Sequence, residues 1–424
     1  MTTSPSRRQL FVGLGVAAVS STFVGVADPS VANPSSTKGR PKGGQAFPTD
    51  SFQRAVKAMA AAGAVGVVAT VVGPSGRYST AAGTRDPRTG NPARTQDRAR
   101  IASITKAMTA TLVLQEVEAG HWTLETTIGD VWPGLYPGRN DVTIAQLLNH
   151  TSGMPDAIWD ILGQRQLWEL RPEELRLLID RHYDEQELVS IAHGMEWLFD
   201  PGTGFAYSNT GYVVLSLLLE HQNRRTIKDL IRERIFKPAG MQHTRLEATT
   251  IVRGRHLVPV AGMNGTPVVL DRINPSIFSG AGGVYATSDD VATFYTALMR
   301  GRLLTQELVD VMITPVGAAT WYGYGYGVYQ MLDPCAGSDP LTVPLLVGHD
   351  GAGFGTLSIA AASRDGQRCM AMSWSGRDYG PWAPMPPYSD VLSAAFLSTC
   401  TTNGGGPDHS TDRGSGLGTG QLRL

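Results

Sequence analysis

The sequence predicts an α/β protein of the sandwich kind: one antiparallel β-sheet flanked by helices on both faces, with a helical domain set beside it. Three observations predict it. Apolar, β-rich runs at 64–72 and 77–83 flank Gly73-Pro74-Ser75-Gly76, a hairpin signal. Four more runs of strand type, at 324–331, 345–351, 355–362 and 367–374, lie near the other end of the chain. Between them, from 154 to about 272, the sequence turns helical and irregular. Early and late strands therefore join in one sheet, and the cleft where sheet meets helical domain is where a functional site commonly sits.

Taken in order, the first 27 residues read as an address label. Ser6-Arg7-Arg8-Gln9-Leu10-Phe11 resembles a twin-arginine motif, and 12–27 is a moderately apolar stretch ending in small residues. The expectation is a signal peptide over 1–27, hence an exported, secreted protein using the export machinery. An uncleaved membrane anchor is the alternative, disfavoured because Gly13, Gly15, Ser20, Ser21 and Gly25 make the stretch weakly hydrophobic. Residues 28–45 form a linker rich in Pro, Ser, Gly and Lys. A helix over 51–62 and the first hairpin open the sheet domain, which takes 46–153 and 273–400. The helical domain takes 154–272, with helices clearest at 171–183 and 211–223. A helix at 288–300 and one at 389–399 return the chain to the sheet. Residues 401–424, rich in Gly, Ser and Thr, have little to bury and are expected to be a disordered tail.

Composition narrows the chemistry. With 424 residues, 42% hydrophobic and 17% charged, the chain can bury a large core, and a net charge of −1 offers no electrostatic case for nucleic acid. No C-x-x-C, H-E-x-x-H, G-x-x-x-x-G-K-[ST] or G-x-S-x-G pattern occurs, so metal, nucleotide and α/β-hydrolase chemistry lack support and no cofactor is expected.

Ser103-Ile104-Thr105-Lys106 opens a segment rich in Ala, Leu, Met and Val that stays free of Gly and Pro until Gly120. Residues i and i+3 of a helix share one face, so Lys106 can reach the Ser103 hydroxyl. A serine is inert until a base takes its proton, and a lysine becomes that base once burial lowers its pKa. The N-terminus of this helix also aims unpaired N–H groups at whatever reacts with Ser103. The same tetrapeptide pattern at Ser35-Ser36-Thr37-Lys38 shows that spacing alone means little; a cap is the plainer role for Ser103 taken by itself.

Two further motifs change its weight. Phe205-Ala206-Tyr207-Ser208-Asn209 follows the turn 200–204, and Gly348-His349-Asp350-Gly351 leads into a strand. The order S-x-x-K, Y-x-N, [KH]-x-G resembles that of the serine penicillin-binding enzymes: DD-peptidases, class C β-lactamases and related esterases and D-aminopeptidases. Leu147-Leu148-Asn149-His150-Thr151-Ser152-Gly153-Met154 is similar to the family's LLxHTSG segment. Ser279-Gly280-Ala281-Gly282-Gly283 with Thr287-Ser288-Asp289-Asp290 is similar to its SAGG and T-x-x-D pair.

The resemblance implies a β-lactamase/DD-peptidase-like fold and a role for each matching residue. Ser103 is the nucleophile, with Lys106 or Tyr207 as acylation base. Tyr207 is expected to ionise in part if it lies between two cations. Asn209 orients a substrate amide and steadies Lys106. His349, where many relatives carry lysine, lines the other wall, and Gly351 lets substrate backbone approach the strand. The backbone N–H groups of Ser103 and Ala352 form the oxyanion hole. Asp350 replaces the family's usual Thr or Ser: facing the cleft it would repel a substrate carboxylate, and on the opposite face of the strand it would not. Export makes pairing of cysteines expected. A Cys335–Cys400 bridge is the expectation, supported by the resemblance, with Cys369 a buried thiol in a strand pattern.

The activity so implied is a secreted, monomeric serine hydrolase forming an acyl-enzyme, first a D-alanyl-D-alanine carboxypeptidase acting on peptidoglycan stem peptides and acylated by β-lactams. An esterase, D-aminopeptidase or weak class C-like β-lactamase stands beside it, and a penicillin sensor without turnover is the third reading. The aromatic residues Trp159, Trp168, Trp321, Tyr322, Tyr324 and Tyr326 read as core and strand residues rather than as a substrate channel.

Overall fold

In the computed structural model, residues 49–246, 249–263, 265–335, 345–380 and 385–400 are described. The stretches expected to be signal peptide, linker and C-terminal tail, and the Ser35 tetrapeptide, lie outside them. Strands β1 (Gly66–Gly73), β2 (Gly76–Asp86) and β3 (Asn91–Pro92) open the sheet, and β4 (Ala99–Arg100) leads to the Ser103 segment. Short strands β5 (Arg245–Leu246), β6 (Val260–Met263), β7 (Thr266–Val269) and β8 (Val284–Ala286) precede the late strands. These are β9 (Tyr329–Leu332), β10 (Leu345–Ala352), β11 (Thr356–Ser363), β12 (Cys369–Ser375) and the two-residue β13 (Arg377–Asp378).

The main sheet is seven-stranded, in the order β3-β2-β1-β12-β11-β10-β9. All its neighbours pair antiparallel, and the junction of early with late strands is β1 on β12, with Gly66 opposite Ser375 and Val72 opposite Cys369. The hairpin over 73–76 forms as expected, with Gly73 facing Gly76.

β1, β11 and β12 are buried at every position. Such strands must be covered on both faces and so read as continuous apolar runs instead of alternating ones. One face meets helices α1 (Thr49–Ala61) and α7 (Tyr388–Leu397): Phe52, Val56, Met59, Val391 and Phe396 pack with Val67, Ile359, Ala361 and Met370. The other face, carrying Ala360, Ala362 and Ala371, meets α2 (Thr105–Glu118) and α6 (Ser288–Met299). Thr105–Leu114 of α2 are buried without a break, which is what a helix apolar on all sides requires. The one acid buried in α2, Glu116, is met by Arg234, by His121 at 2.7 Å and by Asn223 at 3.2 Å.

Three local differences from the sequence reading matter. Ser103 sits on a 3₁₀ turn, Ala102–Ile104, ahead of the α-helix proper. The segment 324–331 is a strand only from Tyr329; Tyr324 to Val328 form a tight turn closed by Gly325 N–H donating to the Val328 carbonyl at 2.8 Å. The stretch 154–272, expected to be helical and irregular, carries helices only as far as Ala239; β5 then pairs with β8, and β6 lies between β7 and β13. Cys335 and Cys400 form the disulfide, and Cys369 is a buried free thiol.

Candidate active site

Three segments meet at the N-terminus of α2: the Ser103 turn, the start of helix α5 (Asn209–Asn223) and strand β10. At each of three motifs one non-glycine residue is held at positive φ: Ala102 at 45°, His150 at 61° and Ser279 at 42°. Such a conformation costs an L-residue roughly 1–2 kcal/mol and is kept where the surroundings over-determine it. Here it turns the chain just before Ser103, just before Thr-Ser-Gly, and ahead of the Ala281 carbonyl.

Lys106 is fully buried, and Ser103 is half-buried above it. The Lys106 Nζ donates to Asn209 Oδ1 at 2.7 Å and to the Ala281 carbonyl at 2.9 Å, and lies 3.2 Å from Ser103 Oγ. It also stands over the rings of Tyr207 and Tyr212, 4.7 and 5.5 Å from their centroids. Burial lowers its pKa from 10.5 to about 7, against the opposing pull of Asp156 and Asp350. The geometry then fixes the amine's orientation. Neutral, it has two N–H groups and one lone pair; the two carbonyl-type acceptors take the N–H groups, and the lone pair is left for the Ser103 hydroxyl.

Asn209 can serve this way because its amide is held at both ends. Ser208 caps α5, its Oγ accepting the Gly211 N–H at 3.3 Å. Asp156, the cap of helix α3 (Ala157–Ile161), accepts the Asn209 side-chain Nδ2–H at 2.7 Å and its backbone N–H at 3.1 Å through Oδ2. The carbonyl loop is equally fixed: Thr109 Oγ1 donates to the Gly280 carbonyl at 2.7 Å, and a Cβ at Gly280 would overlap Ser216 Oγ.

The Tyr207 hydroxyl is buried beside Ser103. Burial holds its pKa well above 10, with Asp350, Tyr212 and Asp156 adding to the rise and Ser103 opposing it. The partial ionisation expected between two cations lacks one of them, since burial holds His349 neutral, and burial of the phenol itself keeps it protonated.

That imidazole is His349, which is fully buried and pushed down to about 3 by burial, with Lys106 adding to the effect. It stands behind the site as a member of a directed chain of hydrogen bonds. Ser208 N–H donates to His150 Nδ1 at 3.2 Å, so neutral His150 carries its proton on Nε2, 3.2 Å from Tyr324 Oη. Tyr324 in turn donates to His349 Nε2 at 2.9 Å, leaving the His349 Nδ1–H for the Asp350 carbonyl. One backbone N–H in the second motif thus sets both tautomers, here assigned from the network.

β10 presents the third motif as an edge. β9 covers it only from Leu345 to Gly348, so 349–352 have no strand on that side. Gly353 N–H donates to Thr356 on β11 at 2.9 Å. Backbone groups of successive strand residues point to opposite sides, so the Ala352 N–H faces the open edge. Gly351 is also needed for an approach the sequence did not suggest. A Cβ there would strike the Ile101 carbonyl and Ser358 Oγ, so the glycine lets the nucleophile's own segment lie against the strand. Asp350 pairs with Ile359, on the face packed by α1 and α7, while His349 pairs with Ala360 on the other. Its side chain is 13% exposed, and burial raises its pKa to about 7.

The structure thus brings together Ser103, Lys106, Tyr207, Asn209, His349, Gly351 and Ala352. Asp156, Tyr324 and the Ala281 carbonyl were not assigned roles from sequence. Asp156 carried a usable signal, an acid before a short apolar run, which is a helix cap. Of the aromatics, Tyr324 and Tyr326 are buried, as expected of core residues, whereas Trp321 is 91% exposed. A surface cleft of about 570 Å³ lies away from this site by β2, but its Arg85, Arg88, Arg255 and Arg272 face Asp97, Asp86, Asp271 and Asp180.

Comparison with known proteins gives a matching context. The family model described as Beta-lactamase matches residues 52–387. The crystal structure of a D-stereospecific amidohydrolase from Streptomyces sp. aligns with a TM-score of 0.70 at 29% identity, covering 82% of this chain and 98% of that one. Penicillin-binding protein 4* of Bacillus subtilis (strain 168) is 28% identical over 260 residues, 55% of this chain and 53% of that protein. Penicillin-binding protein 4 of Amycolatopsis lactamdurans is 27% identical over 304 residues, 66% of this chain and 73% of that protein. The match to the first of these relatives thus spans about half of its length.

Proposed function

The chain belongs to the beta-lactamase family, and we propose that it is a serine hydrolase that opens an amide or peptide bond at a D-amino acid through an acyl-enzyme on Ser103. One observation carries this reading: a buried amine whose two N–H groups are taken by Asn209 and Ala281 and whose remaining position faces Ser103 Oγ at 3.2 Å. Lys106 takes the Ser103 proton as Oγ bonds to the carbonyl carbon. The Ser103 and Ala352 N–H groups receive the oxyanion, each such donor being worth roughly 2.7–4 kcal/mol. Tyr207, neutral in the resting site, gives its proton to the leaving nitrogen as the C–N bond breaks. It then recovers the proton that Lys106 took. Water releases the acid by the same steps in reverse.

The substrate class we favour is a D-amino-acid amide, or a peptide with no free carboxylate beside the scissile bond. At the third motif, His349 is neutral, so it provides no cationic seat for a carboxylate where many relatives carry lysine. The similarity to a D-stereospecific amidohydrolase supports the same class. A D-alanyl-D-alanine carboxypeptidase is the second reading, supported by motif order and by the penicillin-binding relatives. Export by the twin-arginine route belongs to this proposal and rests on the N-terminal sequence alone.

The test is intact-protein mass spectrometry after mixing with a D-amino-acid amide, a D-Ala-D-Ala peptide and a fluorescent penicillin. Ser103→Ala should abolish every adduct and Ser35→Ala should leave them. An adduct that survives in Ser103→Ala removes the nucleophile, and one that persists for hours with every substrate makes the protein a sensor. Faster turnover of the D-Ala-D-Ala peptide than of the amide would put the carboxypeptidase first.

A further inference from the structure

We propose that Asp156 is a positioning residue of the reaction, holding Asn209 in the one amide orientation that leaves the Lys106 lone pair for Ser103. This rests on the serine-hydrolase reading above.

The plain role for Asp156 is that of a helix cap, and its Oδ1 fills it by accepting the Ile158 N–H at 3.1 Å. Capping uses one carboxylate oxygen. The other, Oδ2, accepts from Asn209 twice, through backbone N–H and side-chain Nδ2–H. An asparagine amide has a donating and an accepting end of nearly equal size, and either could face Lys106 sterically. A carboxylate only accepts, so Nδ2 must turn to Asp156 and Oδ1 to Lys106, where it lies 2.7 Å from Nζ. With the amide reversed, Nδ2 would point a hydrogen at Nζ, and the neutral amine would offer its lone pair to Asn209 instead of Ser103.

Charge adds a second effect. The groups around Lys106 are Asp156 ahead of α3, Asp350 and His349 on β10, His150 before Thr151, and Tyr207 and Tyr212 at the start of α5. Both histidines are neutral, so the two carboxyls are the groups that oppose the effect of burial on the amine. Burial raises the Asp156 pKa, and the N–H groups of Asn209 and Ile158 together with Lys106 oppose that rise; replacing the carboxyl removes its pull on the amine and lowers the Lys106 pKa.

Asp156→Asn tests both parts. Its amide must either turn its NH₂ toward the Ile158 N–H and lose the cap, or turn it toward Asn209 and reverse that side chain. Asp156→Ser keeps a cap-forming side chain, removes the charge and loses the double contact, and thermal melting of each variant reports folding. Expected for both is a fall in kcat/KM of roughly tenfold or more, part of the 10²–10⁴ that a positioned base supplies. The acid limb of the profile should move to lower pH by roughly one unit or more, the low end of what a nearby opposite charge exerts. Lysine NMR in the resting enzyme reads the Lys106 pKa without turnover, and should give the same downward move. Folded variants with kcat/KM within twofold of the parent and an unmoved Lys106 titration overturn the proposal. A parent enzyme that forms no Ser103 adduct overturns the hydrolase reading instead, and the lysine titration then still decides whether Asp156 acts on Lys106.

Discussion

Raising the pH from 5 to 9 should carry acylation through a single rise centred near pH 7, and the structure sets both its position and its owner. A lysine at its ordinary value of 10.5 is neutral in only about 3 × 10⁻⁴ of molecules at pH 7; at about 7, half of the Lys106 amines are neutral. The displacement corresponds to about 5 kcal/mol in favour of the neutral form. The sign follows from the role. The base works unprotonated, so the neutral fraction, about a tenth at pH 6 and nine-tenths at pH 8, is the fraction able to take the serine proton. Asp350 also titrates near 7, so position alone does not identify the group, and two interacting sites release protons in steps that belong to the pair. Asp350→Asn separates them. With that acid gone and Lys106 as base, the rise should remain and move to lower pH, because the negative charge that raises the lysine's pKa has been removed. The assay is kcat/KM for a D-amino-acid amide between pH 5 and 9, on parent and variant. A rise that disappears in Asp350→Asn, or a rate still climbing steeply at pH 9, would refute the assignment of the base to a depressed Lys106.

Three further outcomes follow from the same geometry. Tyr207→Phe should lower kcat by roughly 10²–10⁴ and leave the acid limb near 7, since the phenol is a donor whose own pKa lies well above 10; a limb that moves with this variant would make Tyr207 the base. Gly351→Ala puts a Cβ into the Ile101 carbonyl, which should cost about 1–3 kcal/mol in urea unfolding and roughly a hundredfold in kcat/KM through misplacement of Ser103; parent-like kinetics would show that the strand does not seat the nucleophile. Opening the Cys335–Cys400 bridge, which spans 65 residues of sequence, should lower the unfolding free energy by about 4 kcal/mol with little change in kcat, and unchanged denaturant stability after reduction would count against it as a structural tie.

How much of this was legible from the chain depended on whether the information was local. Strand runs such as 64–72 are apolar throughout because both faces are covered, and the hairpin at 73–76 is written in Gly and Pro; both were readable. Ser103 and Lys106 were readable because their spacing is three residues. The orientation of Asn209 was not, because it is decided by an acid 53 residues away in sequence whose own local signal says only that a helix begins. The same holds for His349. Its neutrality comes from burial and from Lys106, its tautomer from Tyr324, 25 residues upstream, and nothing in Gly-His-Asp-Gly states any of these. The contact of Gly351 with Ile101 was hidden for a related reason: a glycine in a strand announces that backbone comes close, not whose backbone it is.

The replacement of the family's commoner lysine by His349 is then a condition on the whole arrangement. The position is fully buried, 2.9 Å from Tyr324 Oη and electrostatically coupled to Lys106. An ammonium there would face a second amine in the same dry pocket, and like charges in such a setting disfavour one another's ionisation. Its three donors would also find Tyr324 already receiving a hydrogen from His150, whereas Nε2 of a neutral imidazole accepts the one that Tyr324 has left. Histidine allows the chain from Ser208 to Asp350 to be satisfied with no net charge. The basicity of the site is then concentrated in a single amine, set by the balance between its burial and the two carboxyls of Asp156 and Asp350.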